Sequence, residues 1–184
     1  MIRCFDTIID IGCGDGSLTE LLSHKIKHKR IIGLDINPQM IQFANENHKR
    51  PTIEYIVQDF GQDWHEFNSA LKQIEGKVSL IFSNITLHWI DNKENVGKSF
   101  QKLLSKDGLV YVNVYAIQGF NKHLDEEQVK YNERLIKIPS FEEQMKIWES
   151  ILTLNGINVQ SIKISEICAE HSKQFIMGKE VFKI

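Results

Sequence analysis

The stretch Phe5-Asp6-Thr7-Ile8-Ile9-Asp10-Ile11-Gly12-Cys13-Gly14-Asp15-Gly16 decides how this chain folds. An apolar run stops at three closely spaced glycines, and Ser17 through Ile26 then reads as a helix. The pattern is strand, tight turn, helix. Glycines at 12, 14 and 16 let the backbone bend sharply and approach a ligand with no Cβ in between. A dinucleotide fold wants G-x-G-x-x-G here, so that a pyrophosphate can sit on the helix N-terminus. In this chain the third glycine comes one residue early, and Asp15 stands inside the loop. An acidic side chain there repels phosphate and suits a ligand with an amino group.

The segments that follow describe a nucleoside site. Arg30–Ile36 reads as a second strand, with Asp35 near its end and Ile36 directly behind it. Asp35 follows Gly16 at the interval that a helix and two short loops would use. An acidic residue there accepts both ribose hydroxyls in nucleoside-binding α/β folds. NAD enzymes use the same device, so Asp35 by itself supports adenosine without choosing between ligands. The third strand, Thr52–Gln58, runs into Asp59 and Phe60, which can hydrogen-bond the adenine amine and cover the ring face. Asp10, Asp35 and Asp59 thus mark three strand ends around one adenosine. S-adenosylmethionine, with an ammonium, a carboxylate, a sulfonium and no phosphate, fits this loop better than NAD.

The set of motifs resembles the class I S-adenosylmethionine-dependent methyltransferases. Asp10 to Gly16 matches their first motif, Leu34-Asp35-Ile36-Asn37-Pro38-Gln39-Met40-Ile41 the second, and Asp59-Phe60 the third. Leu80 to Ile90 matches the fourth, and Leu103 to Val110 resembles the turn from a helix into strand five. Within that family, Leu87-His88-Trp89 after strand four is similar to small-molecule carboxyl methyltransferases of the trans-aconitate and juvenile hormone acid kinds. The resemblance implies a Rossmann-like α/β fold, a mostly parallel sheet with helices on both faces, and S-adenosylmethionine as cofactor. It also implies a small carboxylic acid as the acceptor.

Composition sets bounds on the other possibilities. The 184 residues suit one domain, and 42% hydrophobic with 25% charged residues is ordinary for a globular protein. A net charge of −2 gives no overall drive towards nucleic acid. The basic cluster Lys25, Lys27, His28, Lys29 and Arg30 reads as a solvated helix end. No apolar run reaches the roughly 18 residues that a membrane-crossing helix needs, so no membrane partner is expected. Cys4, Cys13 and Cys168 show neither metal-type nor disulfide-type spacing, which makes a reducing, cytoplasmic setting the default. The histidines show no ligand spacing, so no metal is expected.

Residues 1–184 read as a single domain: a cofactor-binding core at 1–117, a substrate-side insertion at 118–139, and a C-terminal helix and strand at 140–184. Strand and helix alternate through the core, which calls for a parallel sheet. Asn37 and Pro38 open a second helix with Met40, Ile41 and Ala44 as its stripe. Strand four is expected at Val78–Ser83, a fourth helix at about Lys93–Leu104, and strand five at Gly108–Ala116. Trp64, Phe67, Leu71 and Ile74 recur at helical spacing, so one amphipathic helix is expected within Gly61–Gly76, with a substrate-facing lid as the alternative. Ser140 and Glu143 form a capping box for a helix with Met145, Trp148, Ile151, Leu152 and Leu154 inward. Ile157–Ala169 reads as a sixth strand. Relatives usually carry a helix before strand one and an antiparallel seventh strand. The chain starts inside strand one, and only Phe175–Met177 or Val181–Ile184 could supply a last stub. The expectation is therefore a methyltransferase cut short at both ends.

Methyl transfer is an in-line displacement, so alignment and exclusion of water are the protein's main levers. An ionised carboxylate needs no general base; it needs donors that aim one oxygen. Trp89 offers an indole N–H and His88 a ring N–H, and both follow strand four. Gly12, Gly14, Gly16, Asp10, Asp35, Ile36, Asp59 and Phe60 are the candidate cofactor residues. Ser83 and Asn84 join them, with backbone carbonyls for the methionine ammonium. Two other functions stay open on the sequence: a methyltransferase for a different acceptor, and a non-catalytic methyltransferase-like protein that binds cofactor or a partner. Oligomeric state is not legible.

Overall fold

A computed structural model describes residues 3–114, 139–165 and 179–183. The chain runs β1 (Phe5–Ile11), α1 (Ser17–Lys25), β2 (His28–Asp35), α2 (Pro38–Asn47), β3 (Ile53–Val57), α3 (Ser69–Lys72) and β4 (Val78–Asn84). It continues through α4 (Lys93–Leu103), β5 (Leu104–Val114), α5 (Phe141–Leu154), β6 (Ser161–Ser165) and β7 (Lys179–Lys183). Short 3₁₀ turns lie at Trp64–Glu66 and Leu87–Trp89. The seven strands form one sheet in the order β3-β2-β1-β4-β5-β7-β6. Strands β1 to β5 are parallel, and β7 lies antiparallel between β5 and β6. The seventh strand is therefore present, on the second of the two stubs read from the sequence. The insertion at 118–138, the end of the expected sixth strand and Phe175–Met177 lie outside the described residues.

The chain starts mid-sheet at β1, winds out to β3, and returns to place β4 on β1's other side. Neighbouring connections thus diverge between β1 and β4, and a crevice opens at the strand C-termini there. Apolar runs make the central strands because both of their faces are covered. Ile9, Ile11, Ile32 and Ile81 pack under α4 and α5, while Ile8, Ile31 and Leu80 pack with Leu22 of α1 and Ile41 and Ala44 of α2.

Caps follow the sequence closely. The Asn37 side chain accepts the Gln39 N–H, with Pro38 in the first turn of α2. Ser140 and Glu143 form the capping box of α5. Two expected stripes are corrected at single positions: Met40 and Leu154 are exposed, while Phe141 and Gln144 join Trp148 and Leu152 inside. The single helix expected within Gly61–Gly76 is also corrected. Phe67 and Asn68 are extended, and the Asn68 side chain caps the separate α3 by accepting the Ala70 N–H. The buried Gln58 carboxamide oxygen takes the Asn68 N–H at 2.8 Å, which satisfies the backbone at the break. Phe67, Leu71 and Ile74 are nonetheless buried. Strand β5 begins at Leu104 rather than Gly108, because Leu104 pairs with Val78 across a register shift.

Asp10 is 1% exposed, and its Oδ2 accepts the Thr19 hydroxyl at 2.6 Å, tying α1 to β1. Burial raises its pKa to about 6, against the Thr19 hydrogen bond, with Asp35 adding repulsion. A raised carboxyl pKa gives a stability contribution that is whole below about pH 4 and lost as pH climbs through about 6. The shift corresponds to at most about 3 kcal/mol. Asp10→Asn keeps an acceptor for Thr19 without the charge. It should be more stable than the native chain at about pH 7.5 and lose that advantage near pH 4. Urea melts at both pH values check this, and a difference that does not change with pH would refute the charged, desolvated Asp10.

Candidate active site

The crevice is an open cleft of about 400 Å³ at the C-terminal ends of β1, β2 and β3, closed on one side by the segment after β4. That volume suits a small molecule. Gly12, Asp35, Ile36, Asp59, Phe60 and Trp89 contribute to its wall, and so do Gln58, Thr86 and Ile90.

Asp35 is the hub. Its Oδ2 accepts the Gly14 N–H at 3.0 Å and its Oδ1 the Asn37 N–H at 2.9 Å. A carboxylate has about four acceptor positions, so each oxygen keeps one for a ligand hydroxyl. The Leu34 carbonyl takes both the Gly12 and Cys13 N–H groups, at 2.7 and 2.9 Å, and folds the glycine turn over the end of β2. Gly12 has φ +73°, and a Cβ there would lie 2.0 Å from the Thr86 hydroxyl oxygen. Gly16 has φ +86°, and a Cβ would meet Tyr55 and Ala44 below 3 Å. Gly12 is therefore demanded by the β4 side and Gly16 by packing under the loop. Gly14 faces open space, where a ligand can approach the backbone.

Asp59 Oδ1 accepts the Gly61 N–H at 2.8 Å. The Phe60 ring lies in the core against Phe67 and Phe100, so it does not cover a ring face in the cleft, which corrects that part of the sequence reading. The exposed side chain of Ile36, 63% accessible, is the apolar surface at the rim instead. Asp10, Gly14, Gly16, Ser83, Asn84 and His88 do not line this cleft. Ser83 is buried and donates to the Ile11 carbonyl at 2.9 Å; the Asn84 side chain accepts from Asn113 at 2.8 Å. Burial, with Asp10 and Asp35 nearby, pushes the Cys13 thiol up, so it stays protonated.

Two residues carry the strand-four side of the cleft. Trp89 is 43% exposed and stands in the wall. His88 is 6% exposed, with its ring 4.9 Å from that of Trp89. Burial lowers its pKa to about 4, and Lys93 pushes the same way, so His88 is neutral at neutral pH. Sequence reasoning missed the pair before them. Ile85 adopts φ +56°, an uncommon conformation for a β-branched side chain, and its N–H donates to the Asn113 carbonyl at 2.7 Å. The turn carries Thr86 over the glycine loop, with its hydroxyl 3.2 Å from the Asn84 carbonyl. Nothing in an Ile-Thr pair announces a left-handed backbone; Gln58, whose role depends on Asn68, was equally silent.

The comparisons with known proteins agree with this geometry. A family model described as a methyltransferase domain matches residues 5–156. Juvenile hormone acid O-methyltransferase of Bombyx mori is 33% identical over 105 residues, which is 56% of this chain and 36% of that protein. Trans-aconitate 2-methyltransferase of Escherichia fergusonii is 30% identical over 107 residues, 58% of this chain and 38% of its own length. The chain thus spans well under half the length of these curated relatives. A solved SAM-dependent methyltransferase from Anabaena variabilis shares the fold, with a TM-score of 0.68 at 20% identity, covering 97% of this chain and 75% of that one. S-adenosylmethionine is the cofactor of the family, and the free acceptor positions of Asp35 in the cleft fit its ribose. By its matched domain, its motifs and its sheet order, this chain belongs to the class I S-adenosylmethionine-dependent methyltransferases.

Proposed function

We propose that this chain transfers a methyl group from S-adenosylmethionine to the carboxylate of a small molecule. The observation that carries the reading is Trp89: an indole left 43% exposed in the wall of the cleft that also holds Asp35 and Asp59. Relatives whose names specify carboxylic acid substrates support it. When bound, the cofactor supplies a methyl group activated by its sulfonium. A carboxylate oxygen forms the new O–C bond, the S–C bond breaks, and the products are a methyl ester and S-adenosylhomocysteine.

This chain's residues bind and align. Asp35 accepts the ribose hydroxyls, Asp59 accepts the adenine amine, and Ile36 and Ile90 flank the base. The turn from Gly12 to Gly16 lets the methionine end lie against the backbone, with Asp10 bracing it through Thr19. Ser83 and Asn84 hold the end of β4 beside the methionine end. The Trp89 N–H aims one acceptor oxygen, and an ionised acid then needs no base. His88, buried and neutral, packs against the Trp89 ring and sets its orientation.

Calorimetry with S-adenosylhomocysteine tests the cofactor site. Micromolar binding is expected, and Asp35→Ala should weaken it by roughly a hundredfold through loss of charge-assisted hydrogen bonds. Unchanged affinity in that variant would remove the ribose assignment. Trp89→Phe should leave S-adenosylhomocysteine binding intact and slow ester formation by about tenfold or more. Equal loss of both would make Trp89 a structural residue. The methylated product should be base-labile, as an ester is; a base-stable product would point to an amine or phenol acceptor.

A further inference from the structure

Beyond the cleft, Lys93 of α4 and Trp148 of α5 make a second set of donors. Lys93 opens α4, and its Nζ donates to the Ile90 carbonyl at 2.8 Å. The same ammonium lies 6.0 Å from the centroid of the Trp148 ring on α5. Trp148 is 3% exposed, yet its indole Nε1 has no hydrogen-bond partner among the described residues. Lys93 is half-buried and forms no ion pair among the described residues. Burial pushes its pKa down, and Asp91 is the carboxylate that opposes the shift. A buried donor left unmet and a half-buried cation without an ion pair are both costly. Lys93 lies over the Trp148 ring, and one anionic group that reaches both donors would meet both deficits.

The position of the pair suggests what that group is. Lys93 connects to the cleft through His88, which feels the Lys93 charge and packs on Trp89. Gly97 of α4, one turn after Lys93, packs on Ile151 and Asn155 of α5, so the start of α4 lies against the second half of α5. The N-terminus of α4 adds positive potential at Lys93. Trp89 serves the reacting carboxylate, so an anion at Lys93 belongs to a different part of the acceptor.

We propose that Lys93 and the Trp148 indole N–H bind a second carboxylate of the methyl acceptor, so that this chain prefers di- or tricarboxylic acids over monocarboxylic ones. The assignment rests on the carboxylate reading above.

The test uses the full chain saturated with S-adenosylhomocysteine and labelled with ¹⁵N, so that each tryptophan indole N–H gives its own resonance. The probes are trans-aconitate, which carries several carboxylates, and a juvenile hormone acid, which carries one. Trans-aconitate should bind about tenfold or more tightly than the monoacid and shift the resonances of both Trp89 and Trp148. The monoacid should shift Trp89 alone. Lys93→Met should remove the preference, and Lys93→Arg should keep most of it. S-adenosylhomocysteine binding, unchanged in both variants, reports that they fold. Equal affinity of Lys93→Met and native chain for trans-aconitate, or an unmoved Trp148 resonance, overturns the second-carboxylate site and leaves the first reading standing if Trp89 still responds. If neither acid moves Trp89, the carboxylate reading falls, and this assignment falls with it.

Discussion

The Asp35 carboxylate holds the site together. One oxygen receives the Gly14 N–H and the other the Asn37 N–H, so a single side chain joins the turn after β1 to the turn after β2. Hydrogen bonds to an ionised acceptor are stronger than neutral ones. The Leu34 carbonyl adds two further N–H bonds from the same glycine turn. Because β1 and β2 are paired in register up to Ile11 and Leu34, these contacts set where the strands release the backbone. The cleft then follows from strand order: β4 lies on β1's far side, and the space between diverging loops is left open.

Close packing on both sides of that turn explains its glycines. Thr86 presses on Gly12 from the β4 side, and Tyr55 and Ala44 press on Gly16 from below. Tyr55 also donates its hydroxyl towards the carbonyls of Gly16 and His48, at 3.2 and 3.1 Å, so β3 supports the loop from beneath. The left-handed Ile85 belongs to the same arrangement. It costs backbone energy of order 1–3 kcal/mol, and the neighbouring strand offsets this through the bond from Ile85 N–H to the Asn113 carbonyl.

Carboxylates stand on both sides of the cleft. Asp35 and Asp59 stand at the ends of β2 and β3, while the segment after β4 brings the Trp89 indole together with the Asp91 carboxylate, and Lys93 follows at the start of α4. Two strongly buried titratable groups do not face the cleft. Asp10 is turned to Thr19, and His88 is kept neutral under Trp89. Each therefore shapes the site by holding a neighbour: Asp10 the first helix, His88 the exposed indole.

The sequence by itself determined the architecture and half of the site. Alternating apolar runs and caps such as Asn37-Pro38 and Ser140-x-x-Glu143 are local signals, because strand burial and helix capping involve residues a few positions apart. Asp35 and the glycine turn were legible for the same reason: a strand end followed by a sharp turn leaves few residue choices. Only the tertiary structure decided the rest. Phe60 turned inward because Phe67 and Phe100 offered it a core, and the expected helix after it broke where Gln58 reached Asn68. Thr86 reached Gly12, and Lys93 met Trp148, through contacts between residues distant in sequence. Such contacts depend on how the elements pack, and no local pattern of residues encodes them.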